Sequence, residues 1–128
     1  MSTEGSQIAA AETAPHASHL VDGFLREVLA KGGSDLHFVA GDPPRIRVYG
    51  ELQTLREELL GQDFVRDALA EIMPRQATAR LEEKDGADFA YSIPGVSRFR
   101  VNVFRHIGGL GGVFRAIPSK ALSLDQLN

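Results

Sequence analysis

Ser97-Arg98-Phe99-Arg100-Val101-Asn102-Val103-Phe104 alternates without a break. Successive side chains of a strand point to opposite faces. Phe99, Val101 and Val103 therefore share one face, and Arg98, Arg100 and Asn102, continued by Phe104, share the other. Working outward, Asp88 to Ile93 reads as a strand joined to it through Pro94-Gly95, and Gly112 to Ile117 as another. The intervening His106 to Gly111 reads as a glycine-rich loop. Further upstream, Asp35 to Val39, Arg45 to Tyr49 and Leu52 to Leu55 predict three more strands, separated by Gly41-Asp42-Pro43-Pro44 and Gly50-Glu51.

Helical spacing fills the gaps. Leu20, Phe24, Leu25 and Val28 predict a helix with Ser18 as its N-cap and Gly32-Gly33 as its stop. A second helix opens at Asp63, with Phe64, Ala68, Leu69 and Ile72 as its apolar stripe. Pro74 ends it and suits the first turn of a third, running to about Lys84. One helix, three strands, two helices and three strands predict an α+β domain, an antiparallel sheet covered by helices on one side.

The chain has 128 residues, enough for one domain with a real core. Residues 1–17 carry too little apolar surface to offset ordering and read as a flexible tail, leaving 18–117 as the domain. Residues 118–128 read as a linker and the start of something further. Ser123 with Gln126 three residues on is a capping-box opening, and Asn128 stops the chain just after it. The expectation is a piece of a longer protein.

Composition excludes several classes. With no cysteine there is no disulfide framework and no cysteine-ligated metal. A net charge of −3 argues against a global nucleic-acid binder. No apolar run reaches the roughly 20 residues of a membrane span. Met1 is not followed by a basic start and apolar block, so the expected compartment is the cytoplasm. None of the three lysines, Lys31, Lys84 and Lys120, follows a glycine in a GxxxxGK[ST] pattern, so a P-loop is not expected in this chain.

Charge is unevenly spread. Val96 to Lys120 holds Arg98, Arg100, Arg105, Arg115 and Lys120 without an acid, whereas ten acids oppose five bases between Glu51 and Asp88. Two arginines two residues apart on one sheet face form a donor-rich surface suited to phosphate or carboxylate, unless acids from elsewhere pair with them. Gly108 to Gly112 lacks the GxGxxG order and joins strands, which disfavours a dinucleotide site. Ser34, Asp35 and His37 are triad residue types, but neighbouring positions of one strand do not make triad geometry. His16 and His19, and the single His37 and His106, do not predict a metal site.

In order along the chain, GSDLHF (33–38), PPRIRVYG (43–50), Asp88-Phe89, PGVSRFRVNVF (94–104) and GVFRAIPSK (112–120) resemble the N-terminal domain of the type IV pilus retraction ATPases. These are the twitching-motility, PilT-like branch of the secretion ATPase superfamily. The resemblance covers about Leu20 to Asn128. It implies a PAS-like fold joined to a RecA-like motor domain that carries the P-loop and the catalytic residues. It further implies a cytoplasmic homohexamer docked at the inner-membrane base of the pilus machinery, with ATP and Mg held in the full-length parent and no cofactor in this piece. Each N-terminal domain would pack on motor domains of its own and neighbouring subunits, with no nucleic acid and no membrane span of its own.

Carried over residue by residue, Arg98, Arg100 and Arg115 fall in the matching motifs and are candidates for phosphate contact or interdomain pairing, with no catalytic residue in this piece. The hairpin departs from the family: Gly108 stands where an arginine is common, and Arg105 is the candidate to replace it. Asp35, His37 and Asn102 belong to the matching motifs without an assignable role. The alternative is a stand-alone PAS-like sensory module that binds a small anionic ligand on its basic face.

Overall fold

The computed structural model describes residues 18–118; the expected tail at 1–17, with His16, and the capping box at Ser123 lie outside the described residues. Among the described residues nine elements follow in the expected order: α1 (Asp22–Ala30), β1 (Asp35–Val39), β2 (Arg45–Val48), β3 (Glu51–Thr54), α2 (Gln62–Ile72), α3 (Arg75–Lys84), β4 (Gly86–Ile93), β5 (Ser97–His106) and β6 (Gly109–Ile117). The strands form a single antiparallel sheet ordered β3-β2-β1-β6-β5-β4, with the helices on one side. It consists of two three-strand meanders joined where β1 pairs with β6, Asp35 opposite Arg115 and Phe38 opposite Gly112.

The apolar halves of the strands meet the helices. Leu36, Phe38, Ile46, Phe99, Val101, Val103 and Phe114 are buried on the covered face, with Leu25 and Val28 of α1 and Val65, Ala68 and Leu69 of α2 above them. In α2 it is Val65, not Phe64, that is fully buried; Phe64 sits at the core's edge. Phe38 is the hub of an aromatic cluster. Its ring centroid lies 5.2 Å from Phe24, 5.9 Å from Phe64 and 6.3 Å from Phe114, mostly in edge-on arrangements that suit the ring quadrupoles. The Arg56 guanidinium lies 4.2 Å from the Phe24 centroid and pairs with Glu27 at 2.7 Å.

Two local expectations fail for tertiary reasons. Ser18 does not cap α1: Val21 occupies the cap position, and no side-chain capping bond forms there. Locally the His19 N–H donates to Asp22 Oδ2 at 3.0 Å, and contacts distant in sequence add to this. The backbone N–H of Leu20 donates to Glu71 of α2 at 2.8 Å, and the Tyr91 hydroxyl of β4 donates to the buried Asp22 carboxylate, with His19 Nδ1 2.7 Å from the same hydroxyl. Burial first, then the Asp22 hydrogen bond and charge, raises the Tyr91 phenol above its ordinary value.

The second failure is the loop at 106–111. Only Ile107-Gly108 forms the turn, and β6 begins at Gly109. Gly109, Gly111 and Gly112 are strand residues whose Cβ space is taken. A Cβ on Gly111 would lie 2.7 Å from the Phe104 ring across the ladder, and one on Gly112 would lie 3.2 Å from Leu69 of α2. Glycine at these positions lets an aromatic ring and a helix approach the backbone.

Phe38 thus joins α1, α2 and the β1–β6 seam. Phe38→Ala is expected to destabilise the chain by about 3–5 kcal/mol, read as a lower urea midpoint, with the cavity it opens adding to the lost transfer energy.

Candidate functional site: the uncovered sheet face

The other side of the sheet carries the polar halves of the strands. Register brings them into rows. Asp35 on β1 lies opposite Arg47 on β2 and Arg115 on β6, and Arg115 lies opposite Arg100 on β5. In the next row His37 lies between Arg45 and Val113, and Asn102 lies between Val113 and Asp88. Arg98 lies opposite Ile117 and Ser92. The strands thus present five arginines to this face against two carboxylates, Asp35 and Asp88.

The carboxylates are already committed. Asp35 is 4% exposed; its Oδ1 accepts the Ser34 hydroxyl at 2.7 Å, and its Oδ2 accepts both Nε and Nη2 of Arg115 at 3.3 Å. Asp88 accepts the Asn102 amide at 2.9 Å. Arg47 donates to the Gly50 carbonyl at 3.0 Å, and Arg45 lies 3.7 Å from Asp42. Among the described residues, the Arg98 and Arg100 side chains have no hydrogen-bond or ion-pair partner. Arg100 stands across the ladder from another arginine, an arrangement that costs stability unless something neutralises it.

The face therefore gathers Arg98, Arg100, Arg115, Asp35, His37 and Asn102. It does not include Arg105, which turns to the helical side. There Arg105 Nε meets Asp85 at 3.1 Å, beside a cleft lined by Met73 and Leu81 of the helical layer and by His106 and Leu110 of the hairpin. Ser34 and Asp35 are hydrogen-bonded, but His37 joins neither, so no triad forms. Arg45 and Arg47 belong to this basic face as much as Arg98 and Arg100 do. Their alternation was visible in the sequence, but the β2–β1–β6–β5 register that brings them alongside was not. The donor set fits an anion. Among the described residues no group of three or more His, Asp or Glu could hold a metal ion, and no helix is long and apolar enough to cross a membrane.

His37 reports on the field here. Burial first, then the charge of Arg47, lowers its imidazole below the ordinary 6.5; Arg45 and Arg115 act in the same direction and Asp35 opposes them. The folded state thus prefers neutral His37, and the unfolded chain takes up the proton first as the pH drops. Stability is lost as the pH falls from 6.5 through the lowered folded value. His37→Gln is expected to flatten that part of the profile, measured as the difference in urea midpoint between neutral and mildly acidic buffer.

No family model matches the chain. It is 42% identical over 107 residues to the type IV pilus retraction ATPase PilT of Pseudomonas aeruginosa, a match covering 80% of this chain and 31% of that protein. It is 33% identical over 104 residues to the type IV pilus ATPase PilU of the same organism, covering 81% of this chain and 27% of the relative. Among solved structures, the pilus retraction motor PilT with bound ADP superposes with a TM-score of 0.72 at 29% identity, over 81% of this chain and 30% of that one. The Legionella pneumophila ATPase DotB superposes with a TM-score of 0.68 at 25% identity, over 82% and 31%. The chain spans about a third of the length of these relatives. With an antiparallel sheet covered by helices on one side, the chain matches the N-terminal domain of the PilT-like type IV pilus ATPases.

Proposed function

We propose that the chain is the non-hydrolysing N-terminal domain of a pilus-retraction motor, and that its uncovered face supplies guanidinium groups to the phosphates of nucleotide held by a motor domain. In this reading the parent is a cytoplasmic hexameric ATPase using ATP and Mg at the base of the pilus machinery, and the domain packs on motor domains of its own and neighbouring subunits. The observation that carries it is the unpaired Arg100 opposite Arg115, with Arg98 two residues along. An exposed like-charge pair is a cost that a negatively charged ligand removes. A guanidinium placed by a rigid strand needs little reorganisation as charge develops on a transferring phosphoryl group.

This reading has a double signature. Arg100→Gln is expected to stabilise the isolated chain by a few tenths to about 1 kcal/mol, because the repulsion goes. In the full-length parent the same change is expected to lower ATP turnover roughly 10- to 100-fold at unchanged melting temperature. A loss of stability with normal turnover would make Arg100 structural. The chain alone is expected to release no phosphate from ATP above a mock preparation. Tight stoichiometric nucleotide binding by the chain alone, read by calorimetry, would favour the sensory-module alternative instead.

A further inference from the structure

We infer that Asp35 is a positioning residue for Arg115: its buried carboxylate orients the guanidinium on the uncovered face so that the free edge of Arg115 meets a phosphate-bearing ligand alongside Arg100. This rests on the function proposed above and gives a role to a motif residue that the sequence left without one.

The pair is asymmetric in a way no other ion pair among the described residues is. The Arg115 side chain is 71% exposed and that of Asp35 only 6%. In Arg66–Asp63 and Arg105–Asp85 both partners are exposed, and such pairs contribute little. A buried carboxylate is costly unless its oxygens are engaged, and both of them are. Ser34 Oγ holds Oδ1, and the Nε/Nη2 edge of Arg115 closes on Oδ2.

The anchor itself is tied on both sides. Ser34 N–H donates to the Arg47 carbonyl at 2.9 Å, and Ala116 N–H donates to the Ser34 carbonyl at 2.9 Å, so the backbone carrying the carboxylate is tied to β2 and β6 together. With one edge of its planar fork used this way, Arg115 keeps both Nη1 donors and one Nη2 donor for a ligand. Arg100, directly across the ladder, has all of its donors free among the described residues. The acid thus spends one edge of one arginine on orientation and leaves the rest of the pair cationic.

Two measurements separate this inference from the function it rests on. The first uses this chain alone. In a 1H–15N spectrum resolving arginine Nε–H groups, Arg115 is expected to give a distinct, exchange-protected signal, whereas Arg98 and Arg100 give averaged ones. Asp35→Asn is expected to collapse the Arg115 signal to the averaged position. A signal still protected in Asp35→Asn overturns the positioning role, whatever the enzyme kinetics show.

The second uses the full-length parent. Asp35→Asn and Arg115→Ala are each expected to lower turnover at saturating ATP, and the double variant is expected to match Arg115→Ala within about twofold. Additive losses would show that Asp35 acts by another route and overturn the inference. If the Arg115 signal collapses in the first experiment but Arg115→Ala turns over normally, the phosphate reading fails and Asp35 is only a tie between strands. Asp63→Asn, on an exposed pair of α2, serves as the control that moves neither readout. If Asp35→Asn does not fold, Ser34→Ala replaces it. By releasing Oδ1 alone it is expected to weaken the Arg115 protection and turnover in proportion, and protection unchanged in Ser34→Ala while turnover drops would equally overturn the role.

Discussion

Everything in this domain depends on the pairing of β1 with β6. The two strands are some 80 residues apart in sequence and join two meanders that would otherwise be separate three-strand sheets. Each meander forms from local hairpins, but neither alone could bury its apolar face fully. The seam is built on both sides at once. On the covered side Phe38 packs edge-on to Phe114, and on the uncovered side Arg115 closes on Asp35. Gly111 and Gly112 admit the Phe104 ring and the Leu69 side chain against the same strand, so β6 can lie in the middle of the sheet with both faces in contact.

That seam also determines the electrostatics. Antiparallel alternation sends arginines of β2, β5 and β6 to one face, while the acids of α2 and α3 lie on the helical side. The chain as a whole carries a net charge of −3, yet this face is cationic. The buried Asp35 divides the row, with Arg47 on one flank and Arg115 then Arg100 on the other. Arg47 is drawn off to the Gly50 carbonyl, so Asp35 serves Arg115. What remains toward β5 is a pair of adjacent guanidinium groups with too few carboxylates, which is the basis of the function proposed above.

Strand periodicity made most of the fold legible. The alternation in 97–104 separates Phe99, Val101 and Val103 from Arg98, Arg100 and Asn102, and Leu36 and Phe38 separate from Asp35 and His37 in the same way. What local reading missed was set by contacts from elsewhere. Ser18 looks like a cap, but the start of α1 is secured by Glu71 and Tyr91. His106 to Gly111 look like a loop, but Gly109 and Gly111 lie in the strand, and glycine stands at both because neighbouring side chains take the space a Cβ would need. Arg105, the candidate to replace the arginine absent at Gly108, falls in phase with Phe99, Val101 and Val103, and its pairing with Asp85 keeps it apart from the basic face.

The sequence by itself determined the class of fold, the two faces of each strand and the basic character of 96–120, because these follow from a period of two and from side-chain chemistry. The tertiary structure alone decided which arginines are neighbours and which are satisfied. Register across β2, β1, β6 and β5 is a long-range property: a shift by one residue would turn every one of these side chains to the other face. Only that register puts Asp35 beside Arg115 and leaves Arg100 across from Arg115 without a carboxylate.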